Sequence, residues 1–165
     1  MIKKILLAVA LAIPMFVSAQ SLKVGVIDTN AVLEALPDTK TAEAKLAETS
    51  KKYEDEFAKL QQEFQRLYED FQKMPENEPQ AIKERKTREL GDMQQKIQTF
   101  QDNAHQDLQR MQQELMSPII AKVRNAIESV GKEGGYSAIS ETGVFIYYAS
   151  PIEDITAKVK TKLGL

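Results

Sequence analysis

Apolar residues recur at steps of three and four along the middle of the chain. The first run consists of Tyr53, Phe57, Leu60, Phe64, Leu67, Phe71 and Met74, and the second of Leu90, Met93, Ile97, Phe100, Ala104, Leu108, Met111 and Leu115. This spacing places the apolar side chains on one stripe of an α-helix, as in the seam of a coiled coil. The pattern therefore predicts two long amphipathic helices.

The two runs are separated by the sequence MPENEP, residues 74–79. Pro75 lacks a backbone N–H and disfavours a helical conformation at the residue before it, whereas Pro79 suits the first turn of a new helix. A short polar loop between two long helices usually makes them antiparallel neighbours. We therefore expect a helical hairpin over residues 38–130 with its tip at 74–79. A single kinked rod is the alternative.

The segment before the hairpin combines a strand pattern with a short helix. Residues 22–28 are apolar and β-branched, which predicts a strand. Thr29 and Asn30 are candidates to cap a brief helix that ends at Pro37. Asp38 is the candidate N-cap of the first long helix.

After the hairpin, the spacing of apolar residues no longer follows the helical pattern. Glycines between residues 131 and 135 are expected to end the second long helix. Residues 136–140 and 144–149 are strand-like and flank residues 141–143, which predicts a β-hairpin. The sequence Ser-Pro-Ile-Glu at 150–153 has the form of a capping box and predicts a terminal helix.

Together these patterns predict an α+β protein, mostly α, with a long antiparallel helical hairpin on a small β body. Residues 20–37 and 131–165 form that body. A core of this size is marginal alone, and its edge strands favour pairing with another chain. We therefore expect the body to be completed by oligomerisation. Its predicted inward face consists of Val24, Val26, Ile139, Val144, Ile146 and Tyr148.

The first residues indicate export. Lys3 and Lys4 precede an apolar run from residue 5 to 17, and small residues follow up to Ala19. This is the pattern of a signal peptide cleaved after Ala19, and the apolar run is short for a membrane span. We therefore expect an exported protein with no stable membrane insertion after cleavage.

The composition offers little for catalysis. The chain has no cysteine, and its one histidine, His105, lies in a glutamine-rich helical stretch. No phosphate-binding loop, metal-ligand motif or nucleophile motif is present. Asp28 follows the first strand, but a cap or turn role is the simpler interpretation. The sequence therefore predicts no enzyme activity and no catalytic, metal-binding or cofactor-binding residue.

Several segments together resemble a known family. These are KVGVIDTNAVLEALPDTKTAEAKL, the glutamine-rich helical hairpin, GYSAIS, and GVFIYYASPIEDITAKVKTKLGL. In this order they resemble the Skp/OmpH family of periplasmic outer-membrane-protein chaperones. The resemblance implies a periplasmic homotrimer that holds unfolded outer-membrane proteins, without ATP, in a cavity between its helical tentacles. The best-known members are strongly basic, whereas this chain has a pI of about 5.6, so no nucleic-acid partner is expected.

The aromatic residues on the apolar stripes of the two long helices allow two interpretations. Their rings could simply join the two helices. Alternatively, because a two-helix hairpin cannot enclose every large ring, some could face a client, since aromatic and methionine side chains adapt to varied partners. The candidate client contacts are Tyr68, Phe71, Met74, Met93 and Phe100. A structural or adaptor coiled-coil protein of the cell envelope remains the alternative function.

Overall fold

The computed structural model of the protein describes residues 22–165. The expected signal peptide, with its cleavage site after Ala19, lies outside them. The elements in this part of the chain are β1 (Val24–Ile27), α1 (Thr29–Ala35), α2 (Pro37–Gln72), α3 (Gln80–Gly134), β2 (Ala138–Glu141), a 3-10 turn (Thr142–Val144), β3 (Glu153–Asp154) and α4 (Thr156–Lys162). The prediction of a mostly helical protein with a small sheet is confirmed.

The long helices α2 and α3 lie side by side and run in opposite directions. The Lys122 ammonium contacts the Asp38 carboxylate at 2.7 Å near the base, and Lys96 lies 3.9 Å from Glu63 further along. The helices contain 36 and 55 residues. At 1.5 Å per residue they are roughly 54 and 82 Å long. The chain therefore reverses at the tip and does not continue as one rod.

The N-caps of helices α1 and α2 are not the residues that the sequence predicted. Asp28, not Thr29 or Asn30, is the N-cap of α1, and its Oδ1 accepts a hydrogen bond from the Ala31 backbone N–H at 2.9 Å. This supports the interpretation of Asp28 as a cap. Asp38 does not cap α2, because α2 already begins at Pro37, whose fixed φ suits a first helical position.

β1 is the central strand of a three-stranded sheet, and both neighbours run parallel to it. The predicted β-hairpin is therefore wrong, since residues 144–149 form no strand within the described chain. The Glu141 carboxylate accepts hydrogen bonds from the backbone N–H and the hydroxyl of Thr29, which ties the end of β2 to α1. A 3-10 turn follows, and Gly143 lacks the positive φ that a three-residue hairpin loop requires.

The predicted capping box at residues 150–153 is also wrong. Glu153 and Asp154 pair with β1 instead, and α4 begins only at Thr156. The Asp154 carboxylate accepts from both the backbone N–H and the hydroxyl of Thr156, at 2.9 and 2.6 Å. The Ile155 N–H donates to the Val26 carbonyl at 2.8 Å, and Ile155 is fully buried. Pairing with β1 and burial of Ile155 thus outweigh the local cap signal.

The hydrophobic core lies at the base, where β1, α1, α4 and the end of α3 meet. Its most buried side chains are Val26, Val32, Leu36, Val123, Ile155 and Val159. From residue 43 to residue 118, by contrast, only Leu60 and Met93 are buried. The hairpin is therefore held by a thin seam, while the base is a compact body.

Tyr136 anchors the junction between α3 and the sheet. Its hydroxyl donates to Glu153, and the Lys23 ammonium lies 4.0 Å from the ring centroid. The same ring leans against Gly134, the last residue of α3, so closely that a Cβ at Gly134 would overlap it. The absence of a side chain at Gly134 is thus what allows Tyr136 to sit here.

A Gly134→Ala substitution is therefore expected to destabilise the base. Overpacking of this kind typically costs about 1–3 kcal/mol of the free energy of unfolding. Gly143→Ala is the matched control, because a Cβ there meets no atom within 4 Å. Thermal unfolding followed by circular dichroism would check this. Equal melting temperatures for the two variants would show that the ring moves aside at little cost.

Candidate interaction surfaces

The five residues predicted to contact clients are not equally accessible. Tyr68 is 42% exposed, and Phe71, Met74 and Phe100 are half-buried. Met93 is only 7% exposed, because it packs into the seam. The structure therefore leaves Tyr68, Phe71, Met74 and Phe100 partly open to a partner, whereas Met93 has little surface to offer.

A polar latch crosses the seam midway along the hairpin. Tyr53 of α2 packs edge-on against Phe100 of α3, with ring centroids 5.9 Å apart, and its hydroxyl donates to the Asp107 carboxylate. Arg110 also donates to Asp107 and reaches Glu114 at 3.3 Å. An open groove of about 420 Å³ is bordered by Tyr53, Phe100, Asp107 and Arg110. The latch fixes the register of the two helices at one point.

The hydrogen bonds of the latch shift the pKa values of Asp107 and Tyr53 in opposite directions. The hydrogen bond from Tyr53, followed by that from Arg110, lowers the pKa of the Asp107 carboxyl. The same bond to Asp107 raises the pKa of the Tyr53 hydroxyl above its ordinary value. A depressed carboxyl pKa stabilises the fold above the unfolded-state pKa, and this stabilisation is lost as the pH falls through the folded-state pKa.

A Tyr53→Phe variant is therefore expected to melt at a slightly lower temperature than the parent at neutral pH. The effect is small because the latch is solvent-accessible and screened. The difference should be fully present above the ordinary aspartate pKa of about 3.9 and should shrink as the pH falls through the lower folded-state pKa of Asp107, below which Asp107 is protonated in both proteins. Melting curves over an acid pH series measure this. A difference that stays constant with pH would mean that the lost hydroxyl acts through packing and not through Asp107.

A second groove, of about 550 Å³, lies on the flank of the hairpin nearer the tip. It is lined by Ala58, Gln61, Gln62, Phe64, Gln65 and Ile97. Phe64 also stacks on Tyr68, with ring centroids 6.3 Å apart and planes inclined by 17°. We call this set of residues, with Tyr68, the amide groove. This groove was not predicted from the sequence, because it needs Ile97 from the opposite helix, although the glutamines beside Phe64 were a visible signal.

The base carries an exposed apolar segment, residues 144–147. Ile146 is fully exposed, Tyr147 is 82% exposed and Val144 is 67% exposed. Of the predicted inward face, Val26 is buried, whereas Val24, Ile139 and Tyr148 are half-buried. That face is therefore not formed within one protomer, because Val144 and Ile146 lie outside the sheet and point to solvent.

Two negative findings concern residues 22–165. No cluster of three or more histidine, cysteine, aspartate or glutamate side chains could hold a metal ion there. No helix in this part of the chain has both the length and the apolar character that a bilayer span requires. His105 lies exposed on α3, with its Nε2 2.8 Å from the Gln109 amide nitrogen.

Comparison with known proteins now decides the family. Residues 23–163 match the family described as Outer membrane protein (OmpH-like). The chain belongs to the OmpH-like family. The chaperone protein Skp of Yersinia enterocolitica is 27% identical to this OmpH-like chain over 166 residues, which cover 95% of the chain and 96% of the relative.

A solved structure shares the fold. It is the crystal structure of a candidate outer membrane chaperone of the OmpH-like type from Caulobacter crescentus. The two agree with a TM-score of 0.72 at 14% sequence identity, over 85% of this chain and 82% of the other. This likeness places the hairpin and the small sheet within the OmpH-like fold.

The first and last of the segments that carried the family resemblance meet in the base of this OmpH-like protein. Besides the bond from Ile155 to Val26, the Asp28 N–H donates to the Thr156 hydroxyl at 3.0 Å. The same hydroxyl donates to Asp154. The Asp154-Ile155-Thr156 sequence therefore joins the first strand to the last helix, which gives this motif a structural role.

Proposed function

We propose that this OmpH-like protein is an ATP-independent holdase chaperone of the periplasm. In this proposal it binds unfolded outer-membrane β-barrel proteins in a cavity between the helical hairpins of a homotrimer and keeps them soluble for membrane assembly. The family membership and the Skp relative support a chaperone role. The form of the hairpin supports the mechanism.

The observation that carries the proposal is the poor burial of the hairpin. Two helices of this length bury only Leu60 and Met93 between residues 43 and 118, so most of the large apolar side chains keep accessible surface. A purely structural coiled coil would normally enclose its seam residues. Unfolded barrel strands alternate apolar and polar residues and present many weak sites. A long, half-covered apolar stripe suits such clients.

The base supports the assembly of several copies. Residues 144–147 expose large apolar side chains that the protomer does not cover, and β2 is an edge strand. Beside them, Ile120 and Arg124 border a small groove of about 240 Å³ together with Leu33 and Ile127. Exposed apolar surface of this kind marks an interaction site. Three copies that share this surface would project three hairpins around one cavity.

The decisive test is aggregation of a denatured client. A urea-denatured outer-membrane β-barrel protein is diluted into buffer with and without the purified protein, and light scattering is followed in the absence of ATP. Suppression of scattering, unchanged when ATP is added, is the expected result. Unsuppressed scattering from a correctly folded oligomer would favour the alternative, a structural or adaptor protein of the envelope.

The location is tested separately. We infer that the signal peptide is removed after Ala19 and that the mature protein resides in the periplasm. Periplasmic extraction followed by intact-mass measurement should give a chain that begins at Gln20. Recovery of the full-length chain from the cytoplasm would contradict this part of the proposal.

A further inference from the structure

The amide groove differs chemically from the rest of the hairpin surface. Charged residues make up 28% of the chain, and ion pairs flank the hairpin along its length, yet none of the residues that line this groove is charged. Its polar groups are three carboxamides, from Gln61, Gln62 and Gln65. Each carboxamide offers both N–H donors and a carbonyl acceptor. The groove therefore matches a neutral partner that has donors and acceptors of its own.

The glutamines are arranged along a line. Positions 58, 61, 62 and 65 follow the three- and four-residue spacing of one helical face, beside the seam with Ile97. At 1.5 Å per residue they extend over roughly 10 Å. An extended chain rises about 3.3 Å per residue, so the groove accommodates about three residues of a strand. The Phe64–Tyr68 stack continues the line towards the tip with apolar surface.

The carboxamides are available for a partner. Within residues 22–165, the side chains of Gln61 and Gln62 make no hydrogen bond to protein, and Gln65 uses one N–H to bond Glu69 of the same helix at 3.0 Å. That bond holds Gln65 along α2 and leaves its carbonyl to accept. An unfolded chain carries one backbone N–H and one carbonyl per residue that need partners.

We propose that the amide groove binds the backbone of an extended, uncharged stretch of unfolded polypeptide. Gln61, Gln62 and Gln65 hydrogen-bond the peptide groups, and the Phe64–Tyr68 stack covers one apolar side chain of the stretch. This proposal rests on the chaperone function proposed above and specifies what one of its surfaces recognises. Recognition of the peptide backbone is independent of side-chain sequence, so it suits a protein that holds many clients.

The test uses the purified mature protein and a dye-labelled, end-blocked heptapeptide of alternating valine and serine, with binding followed by fluorescence anisotropy. A second peptide has the same sequence but carries N-methyl groups on the backbone nitrogens that would donate. The parent protein is expected to bind the first peptide and to bind the methylated one at least about tenfold more weakly, since several hydrogen bonds are lost.

The matched variants separate backbone recognition from apolar contact. Gln61→Met, Gln62→Met and Gln65→Met together keep the side-chain length but remove both the donors and the acceptors of the carboxamides, so binding of the unmethylated peptide should fall at least to the level of the methylated one. The control carries Gln94→Met, Gln101→Met and Gln112→Met, which are exposed positions outside the groove. This control should bind as the parent does.

Three results would overturn the inference: no binding of the heptapeptide by the parent, equal binding of both peptides, or undiminished binding by the groove variant. The aggregation assay with the denatured barrel protein is run in parallel. Suppressed aggregation together with any of these results would leave the proposed chaperone function standing and remove only the backbone-binding role of the groove.

Discussion

Replacing Ile146 with aspartate is expected to convert the proposed oligomer into monomers without unfolding the protomer. Ile146 is fully exposed in the single chain, so the substitution removes no packing from the protomer core. In an assembly that covers residues 144–147, the new carboxylate would be buried without a partner, which typically costs several kcal/mol. Sedimentation velocity measures the assembly, and circular dichroism measures the fold.

A matched control distinguishes this position from exposed apolar positions in general. Tyr68 is also an exposed apolar residue, but it lies far along the hairpin. Tyr68→Asp should leave the oligomer intact. If Ile146→Asp sedimented like the parent, residues 144–147 would lie outside the interface, and the proposed mode of assembly would be wrong.

Changing Tyr68, Phe71 and Met74 together to serine is expected to weaken client holding on the order of tenfold, because their combined apolar area is lost to the client. Each residue alone should have a small effect, since the proposed contacts are many and weak. Met93 is left unchanged, because it is buried and its loss would loosen the seam. The concentration of protein that halves the aggregation of a denatured barrel protein gives the measurement.

A triple serine variant on another part of the hairpin provides the control. Gln94, Gln101 and Gln112 are exposed, and their replacement with serine should leave holding unchanged. Both variants should remain helical and oligomeric, because the core lies at the base. If the first variant held clients as well as the parent did, the tip half of the hairpin would not be their binding surface.

The helical part of the fold was predictable because its signal is local. The three- and four-residue spacing of Phe57, Leu60 and Phe64 is set by the geometry of a single helix, and the two prolines at the tip act on their immediate neighbours. The end of α3 was equally predictable from the glycines that follow it. Gly135 adopts the left-handed conformation, with a φ of 64°, that a C-terminal cap requires.

The base was harder because strand pairing is decided at a distance. Residues 144–149 have strong β propensity, but propensity does not choose a partner, and β1 already has a neighbour on each side. The capping-box pattern at 150–153 was outweighed by the burial of Ile155, which no local pattern reveals. The amide groove was missed for a related reason, because it is formed between two helices.

The central position of β1 also determines the order in which the protein can fold. Both of its partner strands lie more than a hundred residues later in the chain, as the pairs Val24–Ala138 and Gly25–Glu153 show. Contacts of such long sequence separation form slowly unless the intervening chain is already ordered. The hairpin provides that order. Its helices α2 and α3 can form and pair first, because their contacts are local, and their pairing brings β1 and its partner strands together at the base. A chain that enters its compartment N-terminus first would therefore hold its first strand unpaired until nearly the whole sequence had arrived.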